Sequence, residues 1–161
     1  MKVLMASVEF SLRPSPGGLG GIWTRLAQAM KRERAEVTLL APFHGDRSAA
    51  GQRLARRLSG LPVTWGGRRL ELPLWEGSIA GNVRVFFVEH ESFSRPGIYG
   101  DGQQDWPDNP ERFGLFCKAV AAAASGMLRP AVLHLHDWPM GLVPYYLGRL
   151  GGPRPPVVLS I

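Results

Sequence analysis

The sequence predicts an α/β domain with a Rossmann-like, doubly wound, mainly parallel sheet and one inserted β-hairpin. Three observations predict it. Short apolar runs at Val3–Val8 and Val37–Ala41 flank a helical pattern over Ile22–Lys31. Runs of this kind, apolar without alternation, suit strands covered on both faces. The alternation resumes at Val132–His136, continues through a helix over Met140–Leu150 and ends in the apolar run Pro156–Ile161. In between, apolar stretches separated by Gly66-Gly67 and Ala80-Gly81-Asn82 read as short strands joined by tight turns.

The first unit is strand, glycine turn, helix, strand. The turn is Ser15-Pro16-Gly17-Gly18-Leu19-Gly20-Gly21. Glycines there let backbone approach a phosphate or sugar, and the free N–H groups of the helix start favour negative charge. The spacing is not G-x-G-x-x-G, so it is not the dinucleotide fingerprint. On the helix, Ile22, Leu26, Ala29 and Met30 recur at helical spacing, with Arg25, Gln28 and Lys31 outward. Pro42 bounds the second strand, turn residues fill Phe43–Arg47, and a short basic helix is expected over Ala49–Leu58.

Pro62–Trp65 and Leu70–Trp75 read as the inserted hairpin, and Val83–Val88 as a return to the main sheet. Ser92–Asn109 is a long polar loop dense in glycine, proline and aspartate, a length that compact domains usually reserve for function. A helix follows over Pro110–Ser125, with Asn109 as N-cap and Glu111 on the positive end of its dipole. Phe113, Phe116, Val120 and Ala124 mark its buried face, and Cys117 reads as a small core residue. Gly151-Gly152-Pro153 stops the next helix.

At 161 residues the chain fits one domain, residues 1–161, able to bury a core of its own. A buried parallel strand as its last element predicts a domain cut short at its C-terminal end. Apolar residues make up 45% and charged residues 20%, which excludes a disordered chain, and no apolar run approaches a membrane span. Cys117 has no partner for an internal disulfide, which suits a cytoplasmic location. The net charge of +6, carried mainly by arginine, suits a phosphate-bearing partner. The arginine clusters do not interleave with aromatics, which argues against a nucleic-acid platform.

The chemistry-bearing candidates lie at strand ends. In open α/β sheets the carboxyl ends of the strands face the ligand crevice, and Glu9, Asp137 and Trp138 occupy such positions. A carboxylate there holds sugar hydroxyls, and an indole packs on an apolar sugar face. The bland alternative has Asp137 capping the next helix and Trp138 in the core. His134, His136 and Asp137 also permit a two-histidine, one-carboxylate metal site, but one short strand supplies no second shell, so no metal and no cofactor are expected.

In order along the chain stand Val3-Leu4-Met5-Ala6-Ser7-Val8-Glu9, Gly17-Gly18-Leu19, Tyr99-Gly100, Pro107-Asp108-Asn109-Pro110-Glu111-Arg112-Phe113 and His134-Leu135-His136-Asp137-Trp138. Together they resemble the N-terminal domain of bacterial glycogen synthases and plant starch synthases, over the whole chain. The resemblance implies half of a two-domain glycosyltransferase architecture. It implies glucose transfer from ADP-glucose or UDP-glucose to the 4-hydroxyl of an α-1,4-glucan with retention, and no essential metal. Carried over by position, Gly17 and Gly18 approach the donor phosphate and Asp137 binds glucose hydroxyls. Tyr99, His136 and Trp138 line the sugar region, while Arg112 makes a structural ion pair.

The glycine loop departs from the family pattern Lys-Thr-Gly-Gly-Leu-Ala-Asp. Ser15 and Pro16 stand for the lysine and threonine, and Gly20 and Gly21 for the alanine and aspartate. The isolated chain is therefore expected to be inactive, lacking both that lysine and a nucleotide-binding domain. Two other readings stand beside this one: a short non-catalytic relative that binds glucan or a partner subunit, and a basic nucleotide- or nucleic-acid-binding domain. An unpaired last strand would invite self-association or a second chain.

Overall fold

A computed structural model of the chain describes residues 1–10, 19–45, 54–79, 81–152 and 154–161. Its main sheet has seven strands. Five are parallel, in the order β7 (Val83–Val88), β2 (Glu36–Pro42), β1 (Lys2–Ala6), β8 (Val132–His136) and β9 (Val157–Ser160). Two more, β6 (Leu74–Ile79) and β3 (Ala55–Arg56), extend the β7 edge antiparallel. The hairpin β4 (Leu61–Trp65) and β5 (Arg68–Leu72) forms a sheet of its own.

Alternation along β1 decides what each face buries. Val3 and Met5 join Val37, Leu39, Val85 and Phe87 under helix α1 (Leu19–Arg32). Leu4 and Ala6 join Leu40, Phe86, Leu133 and Leu135 under α2 (Asn109–Ala123) and α3 (Val143–Leu150). Helices on both faces of a parallel sheet make the doubly wound architecture that the apolar runs predict. Each large apolar side chain so enclosed contributes about 1.5–3 kcal/mol.

Several expectations need correction. Gly20 and Gly21 lie inside the first turn of α1, not in the turn before it. Ile22 is 47% exposed, and the buried anchors of α1 are Trp23 and Ala27. The stripe that meets the sheet is Trp23, Leu26, Ala27 and Met30, an i, i+3, i+4, i+7 set that leaves Ile22 on its flank. Where a basic helix was expected, Ala55–Arg56 is a strand paired with Trp75 and Glu76, while residues 46–53 lie outside the described residues. The run Leu70–Trp75 is two strands, divided at Pro73, which has no N–H to continue a ladder. Asn109 is the first residue of α2 and Asp108 precedes it as N-cap, without a capping hydrogen bond from its side chain to the helix. Trp138–Met140 is a short 3-10 turn, so α3 starts later than the sequence suggests.

The hairpin packs on α2 through a close approach. A Cβ on Gly114 would stand 3.0 Å from Cη2 of Trp65. Gly114→Val is therefore expected to destabilise the chain by about 1–3 kcal/mol through overpacking. Thermal melts check it, and Trp65→Leu in the Gly114→Val background should restore part of the loss.

Candidate functional site

The parallel strands β1 and β8 are neighbours in register, with Met5 opposite His134 and Ala6 opposite Leu135. Their carboxyl ends therefore emerge together, delivering Glu9 and Asp137 to one rim of the sheet. His44 secures the approach to Glu9. Its ring nitrogens lie 2.8 Å from the Val8 carbonyl oxygen and 3.2 Å from that of Phe93. Burial lowers the His44 pKa, and the two carbonyls oppose that shift without reversing it.

The third contributor comes from the loop before α2. The Tyr99 hydroxyl donates to Glu9 Oε1 at 2.8 Å across a sequence separation of 90. Burial, then the Glu9 carboxylate and Asp137, push the phenol well above its ordinary range, so it remains a donor. The Tyr99 ring stacks on Trp138 with centroids 5.9 Å apart, and Phe113 meets both rings edge-on. Trp138 is 58% exposed. It is thus a surface indole with an aromatic backing, and the alternative of a core tryptophan does not hold.

Asp137 has φ 71° and ψ 166°. Such a conformation costs a non-glycine residue about 1–3 kcal/mol. Its carboxylate accepts from the Trp138 N–H at 2.7 Å, and its own N–H donates to the Ser160 carbonyl at 2.7 Å. The cap is therefore on the 3-10 turn and not on α3. Only one carboxylate oxygen is used in that bond, and the group is half-buried at the rim, so it retains acceptor capacity for hydroxyls.

What holds Tyr99 in place was not legible as a site signal. Asn109 Nδ2 donates to the Tyr99 carbonyl at 2.7 Å, and the Trp106 N–H donates to the same oxygen at 2.8 Å. Arg112 Nη1 donates to the Ile98 carbonyl at 2.7 Å and to Asn109 Oδ1 at 3.0 Å. Arg112 is buried, and among the described residues it makes no ion pair, contrary to expectation. The ion pair of this segment belongs to Arg95, which grips both oxygens of Asp108 at 2.6 Å and holds its carboxyl below the usual range. The loop is also compact. A Cβ on Gly97 would overlap the Gly100 carbonyl oxygen, and one on Gly100 would overlap that of Gln104.

His134 and His136 share the α1 face of β8, as alternation requires. His134 Nε2 lies 2.8 Å from Ser160 Oγ. His136 is 1% exposed, its ring 3.5 Å from that of Trp23 and 4.1 Å from that of His134, centroid to centroid. Among the described residues no group of three histidine, cysteine or acidic side chains is arranged to hold a metal. Cys117 is buried, donates to the Pro139 carbonyl at 2.9 Å and has its thiol pushed up to about 12, in keeping with a core residue. The structure thus brings Tyr99, Asp137 and Trp138 together with Glu9 and encloses His136 behind them. Gly17 and Gly18 lie outside the described residues.

Residues 2–161 match the family described as the starch synthase catalytic domain. The chain belongs to that family. A glycogen synthase of Syntrophotalea carbinolica is 37% identical over 151 residues, 91% of this chain and 31% of the relative. A glycogen synthase of Anaeromyxobacter dehalogenans is 37% identical over 155 residues, 91% of this chain and 30% of the relative. Among solved structures, the catalytic domain of starch synthase IV from Arabidopsis thaliana, bound to ADP and acarbose, has a TM-score of 0.75 at 22% identity. That match covers 98% of this chain and 32% of the plant one. Sucrose-phosphate synthase from Thermosynechococcus elongatus has a TM-score of 0.56 at 11% identity, covering 92% of this chain and 30% of its own. At those identities the structures show the fold. The chain spans about 30% of the length of the curated relatives it matches.

Burial, with a smaller contribution from His134, lowers the His136 pKa from 6.5 to about 3. The native state then binds fewer protons than the unfolded one between those values, so stability is complete above pH 6.5 and falls as pH drops towards 3. His44 and His134 act in the same direction. Urea midpoints measured from pH 7 down to 5 should decline, and His136→Phe should flatten that slope. An unchanged slope in the variant would contradict the assignment.

Proposed function

We propose that this starch synthase-type domain forms the acceptor side of a glucosyltransferase. The reaction moves glucose from ADP-glucose or UDP-glucose to the 4-hydroxyl of an α-1,4-glucan. The observation that carries the reading is the convergence of Glu9, Tyr99, Asp137 and Trp138 on one rim. A carboxylate with a free oxygen accepts sugar hydroxyls, and a stacked Tyr99–Trp138 pair offers a face for the apolar side of a pyranose. Family membership supports it, as does the binding of ADP and acarbose by the plant starch synthase of the same fold.

In this reading Asp137 and Trp138 hold the transferred glucose, Tyr99 closes the pocket and keeps Glu9 oriented, and the Gly17-Gly18 turn reaches the donor phosphate. His136, enclosed beneath Asp137 against the Trp23 ring, acts through the packing of the strand end and not by direct contact with sugar. Charge-assisted contacts of this type contribute about 1.5–3 kcal/mol each. No lysine stands in the glycine loop to offset the donor phosphate. The chain spans about 30% of the length of its curated relatives, and this reading assigns the holding of the nucleotide to what those relatives carry beyond the matched part.

The purified 161-residue chain is accordingly expected to transfer no labelled glucose from ADP-glucose to glycogen, and turnover by it alone would overturn that expectation. Maltooligosaccharides should change the fluorescence of the chain and leave Trp138→Phe silent. Asp137→Asn keeps the Trp138 cap and removes the charge, so it should weaken sugar binding about tenfold or more at unchanged thermal midpoint. A response to oligonucleotides with none to glucan would instead favour a nucleic-acid-binding domain.

A further inference from the structure

A second concavity lies between the β4–β5 hairpin and helices α2 and α3, and it shares no residue with the Glu9–Trp138 rim. It encloses about 570 Å³, within the range of small-molecule sites. Its polar lining is Thr64, Arg69, Lys118, Tyr145, Tyr146 and Arg149, over a floor of small apolar side chains. Three cations line it, and among the described residues no carboxylate does.

That charge arrangement is not explained by internal pairing. Lys118 is half-buried with its ammonium 5.5 Å from the Tyr146 ring centroid, a contact that orients the charge without neutralising it. Among the described residues neither Lys118 nor Arg149 forms an ion pair. Arg69 reaches Glu71 at 3.2 Å, but both groups are largely exposed, so the pair holds Arg69 weakly. Arg149 offsets the C-terminal dipole of α3, which accounts for one of the three. The other two gather beside it against their mutual repulsion. Tyr145 is 58% exposed at the same mouth, set edge-on to Tyr146 at 5.3 Å. An exposed tyrosine face beside three cations, of which only Arg69 has a carboxylate partner, suits a ligand that is anionic at one end and ring-shaped at the other.

We propose that this groove binds a small organic phosphate, with its phosphoryl oxygens on Lys118, Arg149 and Arg69 and its sugar ring or base against Tyr145. The site is separate from the glucosyl rim and gives the domain a means of sensing a phosphorylated metabolite.

Amide-resolved NMR titrations of the full chain test this with four probes: a hexose monophosphate, AMP, inorganic phosphate and neutral glucose. The organic phosphates should give saturable shifts at Thr64, Arg69, Tyr145 and Arg149, and should bind at least tenfold tighter than inorganic phosphate. The tighter of the two identifies the ring as sugar or base. Glucose should leave these resonances unmoved. The Lys118→Gln/Arg149→Gln double variant should lose at least tenfold in affinity at the wild-type thermal midpoint, and Tyr145→Ala should lose the preference over inorganic phosphate. Asp137→Asn, which disables the proposed glucosyl site, should leave these shifts intact. Equal binding of inorganic and organic phosphate, retained affinity in the double variant, or shifts confined to Asp137 and Trp138 would each overturn the proposal.

Discussion

The pairing of β1 with β2 on one side and β8 on the other is the constraint on which this molecule depends. Parallel neighbours in register end at the same level, so whatever follows each strand is delivered to one rim. The chain after β1 supplies Glu9 there, and the chain after β8 supplies Asp137 and Trp138. A one-residue slip of β8 would send His134 and His136 to the α2 side and bring Leu133 and Leu135 under α1. Apolar burial on both faces thus protects the position of two carboxylates that contribute nothing to the core.

The rim is completed by a loop, and a loop needs other means of being held. Glycine contacts that admit no Cβ fold the segment around Tyr99 on itself, and α2 then grips it. Asn109 and Arg112, one turn apart at the start of that helix, bind consecutive carbonyls, those of Tyr99 and Ile98. Burying a guanidinium against neutral acceptors is costly, and Arg112 Nε and Nη2 find no partner. The bonds that Arg112 does make, to the Ile98 carbonyl and Asn109 Oδ1, offset part of that cost and brace the segment that carries Tyr99. The Arg95–Asp108 pair, which ties the start of the loop to the residue before α2, works in the same sense at lower cost, being closer to solvent.

Strain and exposure concentrate at the same place. Asp137 carries an unfavourable backbone conformation at the rim, and Trp138 leaves a large indole in water. Neither is economical for folding. Both fit the proposed sugar-binding role of this rim, in which a carboxylate points outward and an aromatic face stays open. The basic groove beside α3 shows a comparable tension, with three cations in its lining and a carboxylate, the exposed Glu71, paired with only one of them.

Much of this was legible in the sequence. Apolar runs and helical spacing determined the alternation of strands and helices, since burial on one or two faces leaves a direct trace in residue order. The order of the short motifs likewise determined the family and pointed to Asp137, Trp138 and Tyr99. Other features lay beyond the sequence because they depend on who the neighbours are. Pro73 sends adjacent strands to different sheets, and α1 turns Trp23 rather than Ile22 inward. Arg112 binds carbonyls that its own segment places within reach, where the family resemblance suggested an ion pair. The contact between Glu9 and Tyr99 joins residues far apart in the chain, and no local pattern encodes it. Only tertiary structure decided these, because a hydrogen bond or a packing face is a property of two surfaces meeting and one segment specifies only its own.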